Sequence, residues 1–262
     1  MMYTDQMGRT FKLSNTPVRI VSLVPSQTEL LVDLSLADHI VGVTKFCVHP
    51  DTIRKEKNIV GGTKTIHLEK IRAIQPDIIL CNKEENTEEI VTTLEKEFPV
   101  HVSDIYTIDD ALELIVHYGD IFEKKDHAQD LIATIRTEQA SFQEFMNDIS
   151  QKKVAYFIWR NPWMVAGKGT FINHLLAMNN YENVFDHQDR YPEVSEEELM
   201  RLDEVDTVLL SSEPFPFSEK HKLEMKNIYP KTQIILVDGE CFSWYGSRLV
   251  GAFRYFRTLH SK

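Results

Sequence analysis

Residues 125–150 contain neither glycine nor proline, and Leu131, Ile135, Phe142, Phe145 and Ile149 recur at three- and four-residue steps. That spacing makes one apolar helical stripe. A helix of about 25 residues spans close to 38 Å, longer than a crossover within one small sheet needs, so the stretch predicts a rod with separate structure at either end. The same order of elements is legible on both sides of it. Before it, strands are expected at 19–23, 40–44, 77–81 and 100–103, and helices at 28–36, 68–74, 88–98 and 109–122. After it, strands are expected at 154–159, 207–211 and 233–237, and helices at 170–178, 196–202 and 248–259. Near-continuous apolar runs such as Asp77-Ile78-Ile79-Leu80-Cys81 are typical of parallel strands covered on both faces.

Leu68-Glu69-Lys70-Ile71 ahead of this run has a counterpart in Glu196-Glu197-Glu198-Leu199 ahead of Asp206-Thr207-Val208-Leu209-Leu210. The expectation is therefore an α/β fold with two Rossmann-like lobes, each around a central parallel sheet, joined by one long backbone helix. The boundaries are 1–122 for the first lobe, 123–151 for the bridging helix and 152–262 for the second lobe. A single doubly wound domain is the plainer alternative. Two lobes on one stiff helix imply a largely preformed groove with little closure.

Ligands of open α/β sheets gather where strands deliver their carboxyl ends to helix N-termini. The first such junction is Ile20-Val21-Ser22-Leu23-Val24-Pro25-Ser26-Gln27-Thr28-Glu29. It has no glycine fingerprint, which argues against a dinucleotide or nucleoside triphosphate cradle. Gly61-Gly62-Thr63-Lys64-Thr65 and Gly167-Lys168-Gly169-Thr170 are fragments of a phosphate loop without its spacing, although Lys64 can still supply a cation. The other strand ends carry Phe46 and His49, then Trp159, Arg160 and Trp163, then Tyr191, then Phe215 and Phe217, and finally Trp244, Tyr245 and Arg248. All three tryptophans fall in these loops, as a large, flat, partly apolar ligand requires. Each ring can instead cap the interior of its own lobe.

Forty acids against 29 bases give a net charge of −11, which disfavours nucleic acid and anionic membrane as partners. Cys47, Cys81 and Cys241 show no zinc-binding spacing and are expected as buried thiols, although one pair can bridge. The scattered histidines show no metal-ligand spacing, so no protein-held metal is expected. No nucleophile elbow or Cys/His pair is present, so catalytic residues are expected to be absent and the chain not to be an enzyme. No apolar run approaches the roughly 20 residues of a membrane helix. Met1-Met2-Tyr3-Thr4-Asp5 lacks the basic and apolar regions of a secretory leader, so no signal peptide is expected within this chain.

Val18–Glu29 in order, Val60-Gly61-Gly62-Thr63-Lys64, Leu68-Glu69-Lys70-Ile71, Pro76-Asp77-Ile78-Ile79-Leu80, Trp159-Arg160, Tyr191-Pro192-Glu193-Val194-Ser195 and Ser243-Trp244-Tyr245-Gly246-Ser247-Arg248 together resemble one family. It comprises the substrate-binding proteins of ABC importers for cobalamin, haem and iron–siderophore complexes, the helical-backbone metal receptors with the class III periplasmic-binding-protein fold. The likeness spans nearly the whole chain and is strongest to the cobalamin-binding branch. It implies a cobalt corrinoid as ligand, with haem or a ferric siderophore as the alternative, and no intrinsic cofactor. The ligand-facing set is Pro25, Ser26, Gln27, Phe46, Lys64, Trp159, Trp163, Tyr191, Phe215, Trp244, Tyr245 and Arg248. By motif position, Glu69 and Glu197 would dock onto arginines of the permease, with Glu198 the other choice for the second acid.

The implied partners are the permease and ATPase subunits of an importer, and the expected state is a monomer. The resemblance implies an extracytoplasmic place. A cytosolic corrinoid-handling protein or enzyme is the alternative that the absent leader leaves open. An anionic catecholate chelate needs several arginines, and only Arg160, Arg190 and Arg248 lie near these loops, which ranks the siderophore below the corrinoid.

Overall fold

The computed structural model describes residues 1–200 and 205–261. The chain forms two compact units, Met1–Arg136 with Tyr245–Leu249, and Thr137–Trp244 with Val250–Lys262.

The first unit begins with an antiparallel hairpin, β1 (Met2–Thr4) and β2 (Thr10–Lys12). Next come β3 (Ile20–Ser22), α1 (Pro25–Asp33), β4 (Ile40–Val43), α2 (Ile53–Glu56) and β5 (Asn58–Ile59). They are followed by α3 (Leu68–Ile74), β6 (Ile78–Asn82), α4 (Glu88–Leu94), β7 (Val100–Ser103) and α5 (Ile108–Ile121). The five later strands form a parallel sheet in the order β5-β4-β3-β6-β7. Every residue of β3, β6 and β7 is buried, because helices cover both faces of such a sheet. The apolar side chains of Val21, Leu23, Ile79, Cys81, Val100 and Val102 pack with Ile71, Ile90 and Leu94 from the helices.

Local signals fix several helix starts. Pro25 opens α1, where its missing N–H leaves no bond unmade. Thr107 and Asp110 form a reciprocal capping box at α5, satisfying two otherwise orphaned donors. Buried Asp5 accepts from the N–H groups of Met7 at 3.0 Å, Arg9 at 2.9 Å and Val102 at 3.1 Å, and so ties the hairpin turn to the sheet.

The helix α6 (Lys125–Met146) has 22 residues, about 33 Å at the usual rise. It begins in the first unit and passes into the second after Arg136. The second unit continues with β8 (Lys152–Trp159), β9 (Met164–Val165), α7 (Phe171–Met178), β10 (Tyr181–Asn183), α8 (Glu196–Met200) and β11 (Thr207–Ser211). It ends with α9 (Glu219–Ile228), β12 (Gln233–Val237), α10 (Gly239–Ser243) and α11 (Leu249–His260). Its parallel strands run in the order β10-β8-β11-β12, and β9 pairs antiparallel with β8. On α6, Phe142 lies 5.8 Å from Phe253 and from Phe256 of α11, and Glu138 accepts from Arg254.

The expected strands and most of the expected helices are present, with several helix ends shifted. The first helix starts at Pro25 rather than residue 28, and α6 ends at Met146 rather than 150. Residues 245–249 are grouped with the first compact unit rather than with the residues around them. Leu202, the expected end of the short helix at 196–202, lies outside the described residues, as does Lys262.

Candidate functional site

In the first unit the carboxyl ends of β3, β4 and β5 lead into three groups of interest. The turn after β3 presents Pro25 half-buried and Ser26 almost fully buried. Gln27 is completely buried. Its Nε2 lies 2.7 Å from Ser103 Oγ, 3.1 Å from Tyr245 Oη and 3.3 Å from the Cys81 carbonyl, and its Oε1 accepts from Tyr118 Oη at 2.7 Å. Burial raises the pKa of both tyrosines, so both hydroxyls stay protonated and able to donate. Gln27 and Tyr245 are thus committed to an internal network rather than to an open face.

Phe46, beyond β4, is 48% exposed, with Lys45 Nζ 4.9 Å from its ring centroid. Exposed Lys64 lies in a tight turn and donates to the Glu84 carbonyl. Gly61, at φ 131°, makes that turn possible, because an added Cβ would meet the Thr65 carbonyl oxygen at 2.4 Å. Arg248 reaches Glu29 of α1 in bidentate fashion, Nε to Oε2 at 3.0 Å and Nη2 to Oε1 at 2.6 Å. Burial pushes the Glu29 carboxyl up and Arg248 pulls it back. This pairing was missed in the sequence, where Glu29 reads as an ordinary helix residue.

In the second unit Trp159 ends β8 and is 38% exposed, edge-on to half-buried Phe215 at 5.6 Å. Phe215 in turn meets Phe217 at 4.8 Å and His221 at 5.1 Å. Tyr191 is half-buried. Trp163 differs from expectation. It is 3% exposed, stacks parallel to Phe217 at 6.1 Å and belongs to the core. Trp244 is also buried, at 7%. The three tryptophans therefore do not share one open surface, since two of them are buried. Arg160 Cζ lies 4.2 Å over the Trp163 ring, and the same guanidinium pairs with Glu224.

The two acids expected to dock are both exposed. Glu69 stands in the first turn of α3 and pairs with Arg72 at 2.5 Å. Glu197 stands in the first turn of α8. Its neighbour Glu198 is turned back, accepting from both the N–H and the hydroxyl of Ser195 at 2.8 Å.

Cys47, Cys81 and Cys241 are buried free thiols, and burial raises the Cys81 pKa to about 12. Among the described residues no group of three or more His, Cys, Asp or Glu is arranged to hold a metal ion, and no helix is long and apolar enough to cross a membrane.

The family model described as periplasmic binding protein matches residues 20–228. An uncharacterised ABC transporter substrate-binding lipoprotein of Bacillus subtilis is 25% identical over 211 residues, covering 76% of this chain and 65% of its own length. The chain thus spans just under two thirds of that relative. The periplasmic vitamin B12 binding protein BtuF of Vibrio cholerae superposes with a TM-score of 0.81 at 19% identity, over 94% of this chain and 97% of that one. The periplasmic haem-binding protein RhuT of Roseiflexus superposes with a TM-score of 0.80 at 18% identity, over 93% and 98%. Both structures share the fold of this chain.

Proposed function

The chain belongs to the periplasmic binding protein family, matched over most of its length, and we propose that it is an extracytoplasmic substrate-binding protein. It delivers a metal chelate, foremost a cobalt corrinoid, to an ABC importer and carries out no chemistry of its own. The observation that carries this reading is the exposed aromatic surface at strand ends in each unit, Phe46 in one and Trp159 with Phe215 in the other. Such rings offer flat apolar faces to a macrocycle. Lys64, Pro25 and Tyr191 supply the polar and shape-defining edges. The relatives whose names specify vitamin B12 or haem support the ligand class.

Docking to the permease falls to Glu69 and Glu197. Exposed carboxylates in helix first turns can form charge-assisted bonds with basic pockets. The commitment of Glu198 to the Ser195 cap favours Glu197 over it. Calorimetry with cyanocobalamin, haemin and a ferric siderophore tests the ligand. Corrinoid binding at micromolar concentration or tighter is expected, and its absence removes the preferred ligand. A Glu69→Ala, Glu197→Ala double variant should still bind the chelate and lose uptake in a reconstituted importer.

A further inference from the structure

Arginine is the residue best shaped to hold anionic oxygen groups, because its planar fork makes two parallel bonds. Three arginines stand near the proposed ligand-facing residues, Arg190 immediately before Tyr191 and two that hold carboxylates of this chain. Arg160 follows Trp159 directly, and Arg248 lies three residues beyond Tyr245. In each unit that fork is already filled from within. Arg248 holds Glu29 through Nε and Nη2, and the two side chains are only 18% and 19% exposed. Arg160 holds Glu224 through the same two nitrogens while its other face rests on Trp163. The nearby lysines are engaged too. Lys83 pairs with Asp104 at 2.7 Å, Lys64 donates to the Glu84 carbonyl, and Lys45 lies against the Phe46 ring.

We propose, building on the chelate-binding reading above, that Glu29 and Glu224 are specificity-determining residues. By neutralising Arg248 and Arg160 they fit the protein to chelates without net charge and set it against polyanionic ones. The physical reason has two parts. An anionic ligand must either break a partly buried ion pair to take the arginine fork or approach beside a carboxylate that repels it. A neutral chelate carrying amide groups meets neither obstacle, and it can bond to the outer edges of these pairs.

The test uses the full chain and three probes: cyanocobalamin, which has no net charge, haemin, which carries two propionates, and a trianionic ferric tris-catecholate. The parent protein should prefer cyanocobalamin to the tris-catecholate by about a hundredfold or more. Glu29→Gln and Glu224→Gln should each tighten the anionic probes by about tenfold, with cyanocobalamin changed by less than about threefold. Added salt should erase the gain, because it comes from uncovered charge. Glu224 is 38% exposed, so its variant keeps the fold even if the more enclosed Glu29 variant does not. Variants with the parent's ratio of neutral to anionic affinity overturn this proposal alone, as does a parent that prefers the anion. A parent that binds none of the three overturns the chelate reading and this proposal with it.

Discussion

Gln27 and Tyr245 stand 218 positions apart in sequence and meet at 3.1 Å inside the first unit. The contact closes a buried set of polar groups that includes Ser103, Tyr118 and the Cys81 carbonyl. It is one of the bonds that fasten residues 245–249 to a unit otherwise built from the first half of the chain. The Arg248–Glu29 pair is another, and Gly246 sits so close to Leu30 that an added Cβ would crowd it at 3.3 Å.

Removing one hydroxyl should weaken this set, and removing its centre should break it. Tyr245→Phe is expected to cost about 1 kcal/mol, because Gln27 keeps its other partners. Gln27→Leu strands several buried polar groups at once and should cost about 2–3 kcal/mol. Urea denaturation checks both, and equal losses would mean that the set does not act through Gln27.

The Asp5 carboxylate accepts three backbone N–H groups. Asp5→Ala should therefore loosen the β1–β2 hairpin and the edge of β7 at a cost of about 2 kcal/mol. Amide hydrogen exchange should rise at Met7, Arg9 and Val102 and stay unchanged in the second unit.

His101 is fully buried beside Phe11, His117 and Tyr118, and neither ring nitrogen has a hydrogen-bond partner among the described residues. Burial, aided by His117 and Arg9, lowers its pKa from 6.5 to about 3. The folded protein thus keeps the ring neutral while the unfolded chain takes up a proton. Its contribution is fully present above the unfolded value and is lost as pH falls toward the folded one. The slope is about 1.4 kcal/mol per pH unit. His101→Phe should flatten the decline measured by denaturation between about pH 7 and pH 4.5. An unchanged slope would assign the acid sensitivity elsewhere.

Two tryptophans four residues apart should respond in opposite ways. Trp159→Ala removes an exposed ring and should weaken chelate binding by about tenfold while leaving the melting temperature nearly unchanged. Trp163→Ala empties a core position and should cost about 3–5 kcal/mol. Thermal melting combined with titration calorimetry separates the two effects.

The sequence exposed what repeats locally and hid what depends on distance. Apolar runs at β6 and β11 and the long helix α6 all carry their signals within a few residues. The β1–β2 hairpin was not foreseen, because each strand has three residues, too few for an alternating pattern. Trp159 and Trp163 look alike in sequence, and only the stacking of Phe217 on the second ring separates an exposed group from a buried one. The pairing of Glu29 with Arg248 spans 219 positions, and nothing local announces it.

The late return of residues 245–249 to the first unit bears on how the protein is made. A ribosome releases the amino-terminal half long before Tyr245, Gly246 and Arg248 exist. Until then Gln27 lacks its tyrosine, Leu30 its glycine neighbour and Glu29 its countercharge. The first-born half must wait, incompletely sealed, until those residues are synthesised. Truncation ahead of residue 245 should therefore damage the first unit as much as the second.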